Sequence, residues 1–181
     1  MNTDNIRASN HTGLLKVGAL LLTVAACANY DVTLNERVIY SPPPLFNDFE
    51  LDDPALTACV RQTIIDQSIA KPGMLRQLRC THAGIKSLAG IEIFSKLEQI
   101  NFSNNALISA DVLTALSELH SLSLADNRIN TIAGLAGNSR LKFLDLSGNN
   151  ALVCDSIEAL LRVHPTLEVS RPLHCQSKAT D

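Results

Sequence analysis

The pattern of hydrophobic residues along the centre of the chain repeats with a constant spacing. Leucines at 75, 97, 119 and 141 lie 22 residues apart, and each opens a phrase with apolar residues at its first, fourth and sixth positions. Polar residues stand between these apolar positions, except for Phe143 in the fourth phrase. Because neighbouring side chains of a strand point to opposite faces, this alternation predicts four short strands, each with apolar residues inside and polar residues outside.

Asparagine follows three of the four phrases, at Asn105, Asn127 and Asn149, whereas Ala83 stands at the corresponding position of the first phrase. An asparagine amide both donates and accepts hydrogen bonds, so it can satisfy backbone groups where the chain turns. We therefore expect the three asparagines to form a ladder, one above another, that is interrupted at Ala83.

The stretches between the phrases carry apolar residues at every third position, which suits short 3₁₀ or loose helical turns. The first two stretches contain Ile85, Leu88, Ile91, Phe94, Leu107, Ala110, Leu113 and Leu116 at this spacing.

The phrases resemble the leucine-rich repeat L-x-x-L-x-L-x-x-N-x-L, and the connecting residues 87–91 and 131–135 resemble the 22-residue type found in bacterial internalins. The resemblance covers residues 75–152 in four copies. It implies an α/β solenoid, a short horseshoe of about four repeats. Because no single repeat buries its apolar face alone, such an array needs caps at both ends.

The segments beside the repeats are predicted to supply these caps, residues 46–74 at the N-terminal end and 153–175 at the C-terminal end. Apolar residues with helical spacing follow Asp52, Asp53 and Pro54, and these three suit the start of a helix because aspartate can cap it and proline is tolerated in its first turn. This helix is expected to close the N-terminal end of the core.

The first 27 residues are predicted to be a lipoprotein signal peptide. Arg7 and Lys16 precede an uncharged, mostly apolar run, and Val24 to Cys27 resembles the lipobox of bacterial lipoproteins. The resemblance implies a diacylglycerol and an acyl chain such as palmitate on Cys27, with Ala28 directing the protein to the outer membrane of a Gram-negative cell. The alternative is cleavage after Ala28, which releases a soluble periplasmic or secreted protein.

The residues that flank the caps are predicted to lack folded structure. Residues 28–45 end in Ser41 and three prolines, a composition that favours an extended, flexible tether. Residues 176–181 are predicted to be a disordered tail.

The chain contains five cysteines, and lipidation of Cys27 leaves four, which allow three pairings. Their positions favour Cys59–Cys80, which joins the capping helix to the first strand, and Cys154–Cys175 at the C-terminal end, one disulfide at each end. Reduced thiols are disfavoured because an exported protein folds in an oxidising compartment.

Charge and motifs exclude several classes of function. The net charge of −3 disfavours binding to nucleic acid. The histidines do not show the spacing of a zinc site, and the serines lack the surroundings of a nucleophile. We therefore expect no catalytic residue, no metal site and no cofactor other than the lipid on Cys27.

The outward positions of the predicted strands form the candidate ligand-binding surface, the concave face of the sheet. These positions are Gln77, Arg79, Gln99, Asn101, Ser121, Ser123, Phe143 and Asp145. Arginine and exposed aromatic residues are enriched at binding hot spots. The sequence thus favours a monomeric, envelope-anchored module that binds an unknown protein partner. The alternatives are a structural envelope lipoprotein without a ligand and a non-catalytic accessory to an envelope enzyme.

Overall fold

The structure is a computed structural model that describes residues 31–176. It contains two compact units, divided between Pro42 and Pro43. The predicted signal peptide with Cys27 and residues 177–181 of the predicted tail lie outside the described residues. No helix within residues 31–176 has the length and apolar character needed to cross a membrane.

The first unit contains a β-hairpin where the sequence predicts a flexible tether. Strand β1 (Val32–Leu34) pairs antiparallel with β2 (Arg37–Tyr40). Asn35 and Glu36 join them with φ of 49° and 63°, the left-handed backbone that tight hairpins require. The β-branched and aromatic residues of β2 favour this strand, which the sequence prediction did not include. The tether function of residues 28–45 stays a prediction.

The second unit is built on a parallel sheet of five strands, in the order β3 (Gln77–Arg79), β4 (Gln99–Asn101), β5 (Ser121–Ser123), β6 (Phe143–Asp145) and β7 (Glu168–Ser170). The four predicted strands are confirmed, and residues 22 positions apart are paired in register, as with Gln77 and Gln99. The fifth strand lies within the predicted C-terminal cap. Its Glu168 pairs with Phe143, so the offset at this step is longer.

The core lies between the sheet and the connecting turns. Leu78, Ile100, Leu122 and Leu144 point inward from neighbouring strands and are each at most 3% exposed. The connecting stretches form 3₁₀ turns, as the three-residue spacing predicts, at Ile91–Ile93, Asp111–Ala115 and Ala133–Gly137. Each repeat therefore buries its apolar residues against those of its neighbours.

The three ladder asparagines connect each repeat to the one before it. The Oδ1 of Asn127 accepts the backbone N–H of Leu107 at 3.0 Å, and its Nδ2 donates to the carbonyl of Phe102 at 2.9 Å. Asn149 makes the equivalent bonds to Ile129 and Leu124.

Asn105, in the second repeat, hydrogen-bonds to the turn of the first repeat, where Ala83 replaces the asparagine. Its Oδ1 accepts the N–H groups of both Ala83 and Ile85, and its Nδ2 donates to the carbonyl of Cys80 at 2.7 Å. The turn at Ala83 is therefore satisfied by the side chain of the following repeat.

Helix α1 (Pro54–Asp66) closes the N-terminal end, and one aspartate links it to the first repeat. The Oδ1 of Asp53 accepts the N–H groups of Ala55 and Leu56, so it caps the helix. Its Oδ2 accepts those of Lys86 and Ser87 at 2.7 and 3.2 Å. Burial by itself would raise the pKa of Asp53, but these four donors outweigh it and hold the pKa below its ordinary value.

The C-terminal end is closed by helix α2 (Cys154–Val163) and by β7, neither of which the sequence analysis predicts as a separate element. Ile157 and Leu160 of α2 are buried in the core. Gln176, predicted to begin a disordered tail, donates from Nε2 to the carbonyl of Arg171 at 3.1 Å. The cap thus extends through the last described residue.

One disulfide lies at each end of the second unit, and both pairings are those favoured by the sequence. Cys59 of α1 is bonded to Cys80 after β3, with a Cα–Cα distance of 5.9 Å. Cys154, at the start of α2, is bonded to Cys175, with a Cα–Cα distance of 5.4 Å.

We expect each disulfide to stabilise the second unit by restricting the unfolded chain. With 21 residues of separation, loss of either bond costs about 3 kcal/mol on the chain-entropy estimate. Urea denaturation of Cys59→Ser/Cys80→Ser and of Cys154→Ser/Cys175→Ser measures these costs. Non-reducing peptide mapping that joined Cys59 to Cys154 would contradict the pairing.

Replacement of Asp53 by alanine is expected to lower the free energy of unfolding by about 2 kcal/mol near pH 7, since it removes the helix cap and leaves backbone donors unpaired. The pKa of Asp53 is lower in the folded than in the unfolded chain. Its contribution is therefore full above the unfolded pKa of about 4 and is lost as the pH falls through the folded value.

The measurement is urea denaturation of wild type and Asp53→Ala from pH 7 to pH 2.5. Asp52→Ala is the matched control, because Asp52 carries the same charge on an exposed neighbouring side chain. A difference between wild type and Asp53→Ala that stays constant down to pH 2.5 would show that the carboxylate does not stabilise the cap.

Candidate binding face

The outward side of the sheet presents two rows of side chains in register, which we call the concave face. The first row contains Gln77, Gln99, Ser121, Phe143 and Glu168. The second row contains Arg79, Asn101, Ser123, Asp145 and Ser170. All eight predicted residues lie in these rows, and β7 adds Glu168 and Ser170. The alternation of Leu167 and Val169 with polar neighbours is the sequence signal that would have revealed this last strand.

The side chains at the centre of the concave face are shorter than those on either side. Ser121 and Ser123 are small and half-buried, whereas Arg79 on one side is exposed and Phe143 on the other is 49% exposed. A depression of about 250 Å³ lies over β3, β4 and β5. Gln67, at the end of α1, borders it and donates from Nε2 to the carbonyl of Gln77 at 3.4 Å.

Hydrogen bonds fix the polar side chains of the second row. The hydroxyls of Ser103 and Ser123 lie 2.7 Å apart, and the Ser123 hydroxyl donates to Oδ2 of Asp145 at 3.5 Å. The Oδ1 of Asp145 accepts both the N–H and the hydroxyl of Ser147. Asn101 accepts the N–H of Ser103 in the same way, so the two positions make the same turn.

Charged residues on the edge where the strands begin are paired with one another. Arg76 contacts Glu98 at 2.5 Å, and Glu118 contacts both Lys96, at 3.3 Å, and Arg140. We call these five residues the edge ladder. The hydrogen bond from Lys96, with the charges of Arg140 and Lys96, holds the pKa of Glu118 below its ordinary value.

The charged residues of the concave face are not paired in this way. Within residues 31–176, the ion pairs are those of the edge ladder and that of Arg171 with Glu158. Arg79, Asp145 and Glu168 take part in none of them. The face therefore presents a positive group at β3 and negative groups at β6 and β7.

Cys154, His174 and Cys175 are the one group of metal-type ligands that lie close together within residues 31–176, with their ligand atoms within 4.8 Å. Both cysteine sulfurs belong to the disulfide and are not available as thiolates. The Nε2 of His174 lies 2.9 Å from the carbonyl oxygen of Leu152. The cluster is thus a structural contact of the C-terminal cap.

Comparison with known proteins supports the fold. Residues 117–162 match the family model described as Leucine Rich repeats (2 copies). The sequence matches no curated protein. This match, with the parallel sheet and its 3₁₀ connections, supports a leucine-rich-repeat fold for the second unit.

Solved structures with a similar fold include internalins. Internalin C2 of Listeria monocytogenes is 20% identical with a TM-score of 0.55, over 65% of this chain and 53% of that one. Internalin F of the same organism is 20% identical with a TM-score of 0.48, over 66% of this chain and 43% of that one. This chain thus spans about half the length of these structures or less, and the likeness to internalin C2 supports the fold alone.

Proposed function

We propose that this protein is a non-catalytic, envelope-anchored interaction module that binds a protein partner through the concave face. One observation carries the proposal: Phe143 is about half exposed on β6, towards one end of a sheet face that otherwise displays hydrogen-bonding groups. When a partner covers an aromatic side chain exposed in this position, the burial of its apolar surface makes the free energy of binding more favourable.

The other residues of the concave face suit protein recognition. Arg79, whose guanidinium carries five donors, and the amides of Gln77, Gln99 and Asn101 can all hydrogen-bond to peptide groups and carboxylates. Arginine and aromatic residues often contribute most to a protein interface. Because both rows lie on paired strands, little backbone order has to be gained on binding.

The arrangement of potential catalytic groups supports a binding role rather than an enzymatic one. The face hydroxyl of Ser123 is held between Ser103 and Asp145. His164 and His174 each lie against a backbone carbonyl, those of Ala136 and Leu152. None of these contacts brings a histidine to a serine hydroxyl as a general base.

Attachment to the envelope through lipid on Cys27 is the second part of the proposal. It rests on the resemblance of Val24 to Cys27 to a lipobox. The two disulfides support export, since such bonds persist in oxidising compartments. Outer-membrane localisation and a monomeric state are part of the same proposal.

We expect the Arg79→Ala/Phe143→Ala variant to lose partner capture while it stays folded. The measurement is in-cell crosslinking and affinity capture of the full-length protein from membranes. The matched control is Arg76→Ala/Ile108→Ala, which removes an arginine of the edge ladder and an exposed apolar residue outside both rows. If wild type and the concave-face variant capture the same proteins, or none, the structural-lipoprotein alternative is favoured.

Replacement of Cys27 by serine is expected to move the protein from the membrane to the soluble fraction, because serine cannot receive the thioether-linked lipid. Fractionation and intact-mass measurement of wild type and Cys27→Ser test this. A wild-type mass that corresponds to an unmodified chain beginning after Ala28 would establish the soluble alternative. Partner capture is a property of the concave face and does not depend on that outcome.

A further inference from the structure

The unpaired charges of the concave face have a fixed order and spacing. Arg79 and Asp145 occupy the same register position in β3 and β6, and Glu168 adds a second acid in β7. Neighbouring strands lie about 4.8 Å apart, so Arg79 and Asp145 are separated by about 14 Å along a line across the strands.

This separation matches a short extended peptide. An extended chain advances about 3.4 Å per residue, so about four residues span the distance between the two charges. A peptide that lies across the strands therefore places residues i and i+4 opposite Arg79 and Asp145.

The residues between the two charges leave room for a peptide backbone. Asn101 and Ser123 lie between Arg79 and Asp145 in the second row, and both are half-buried. Asn101 is uncharged, and its Nδ2 can donate to a C=O group of an extended chain. Ser123 is small, and its hydroxyl is held by Ser103 and Asp145, so it leaves space above the sheet. Phe143, in the neighbouring row, offers an apolar contact beside the acidic end.

The charges of the edge ladder are paired within the protein, unlike those of the concave face. There, basic and acidic residues in neighbouring repeats neutralise one another at 2.5 to 3.3 Å. On the concave face the same 22-residue register places Asn101, not an acid, beside Arg79, and Ser123 lies beside Asn101 in the next strand. The charge of Arg79 is thus left for a partner.

We propose that the concave face binds an extended peptide segment of its partner protein, with an acidic residue opposite Arg79 and a basic residue four positions away opposite Asp145. This rests on the proposed function, which it makes more specific by naming the chemistry of the partner. Glu168 strengthens the preference for a basic residue at that end.

The test is selection of a phage-displayed library of random 12-residue peptides on the immobilised full-length protein. Multivalent display retains weak binders. We expect peptides with opposite charges at i and i+4, in one preferred order, to be enriched at least tenfold over their share of the library. Enrichment that is indifferent to the spacing or to the sign of the charges would overturn the proposal.

Charge reversal gives a sharper outcome. The Arg79→Glu/Asp145→Lys variant should select the same spacing with the order of the charges inverted. The matched control Arg76→Glu/Glu98→Lys inverts a pair within the edge ladder and should select the same peptides as wild type. If the control inverts the order and the concave-face variant does not, the peptide binds elsewhere.

A more conservative variant keeps the test valid if Asp145→Lys disturbs the turn at Ser147. Arg79→Gln/Asp145→Asn removes both charges but keeps the turn, because Asn101 already makes the same bond at the equivalent position. Circular dichroism should show it folded, and it should lose the charge-dependent enrichment. For a selected peptide, each single substitution should weaken Kd by about fivefold, the upper range for an exposed ion pair.

The outcomes separate this inference from the proposed function. Selected peptides that lack the charge pair but are lost with Phe143→Ala would overturn the charge spacing and leave the concave face as the binding site. If wild type and Arg79→Ala/Phe143→Ala select the same peptides, or select none, both the spacing and the concave-face function are wrong.

Discussion

The stacking of apolar rows between neighbouring repeats is the interaction on which the rest of the structure depends. Leu78, Ile100, Leu122 and Leu144 are buried because neighbouring strands and the connecting turns cover them. A solenoid built in this way does not close on itself, and its two ends expose whatever the last repeat cannot cover. Both caps follow from this constraint, each with a helix and a disulfide that hold it against the terminal strand.

The same stacking separates the surface into regions with different uses. Residues of the edge ladder meet the charges of the next repeat and are neutralised within the protein. On the concave face, Arg79 lies beside the neutral Asn101 and Asp145 lies between Ser123 and Ser170, so these charges have no oppositely charged neighbour, and the ring of Phe143 is half exposed. One sheet thus carries an edge whose charges are paired within the protein and a face whose charged residues take part in none of the ion pairs within residues 31–176.

The repeated part of the fold could be predicted from the sequence because its physical causes recur at a constant spacing. The inward apolar residues and the eight face positions follow from residues 22 positions apart, and the edge pair of Arg76 with Glu98, which was not predicted, has the same spacing. The rest could not be predicted in this way. Strand β7 follows a longer offset set by helix α2, and the β1–β2 hairpin turns at Asn35 and Glu36 without a glycine to mark it.

The direction of the asparagine ladder has a consequence for the order of folding. Each ladder asparagine reaches back to the preceding repeat, and its bonds to that repeat join residues 20 to 25 positions apart. A chain that emerges N-terminus first therefore leaves every completed turn with unpaired backbone groups until the next repeat has followed it out. The turn of a repeat is thus completed by a side chain of the repeat that follows it in the sequence, so a chain cut after one repeat leaves the turn of that repeat without these hydrogen bonds.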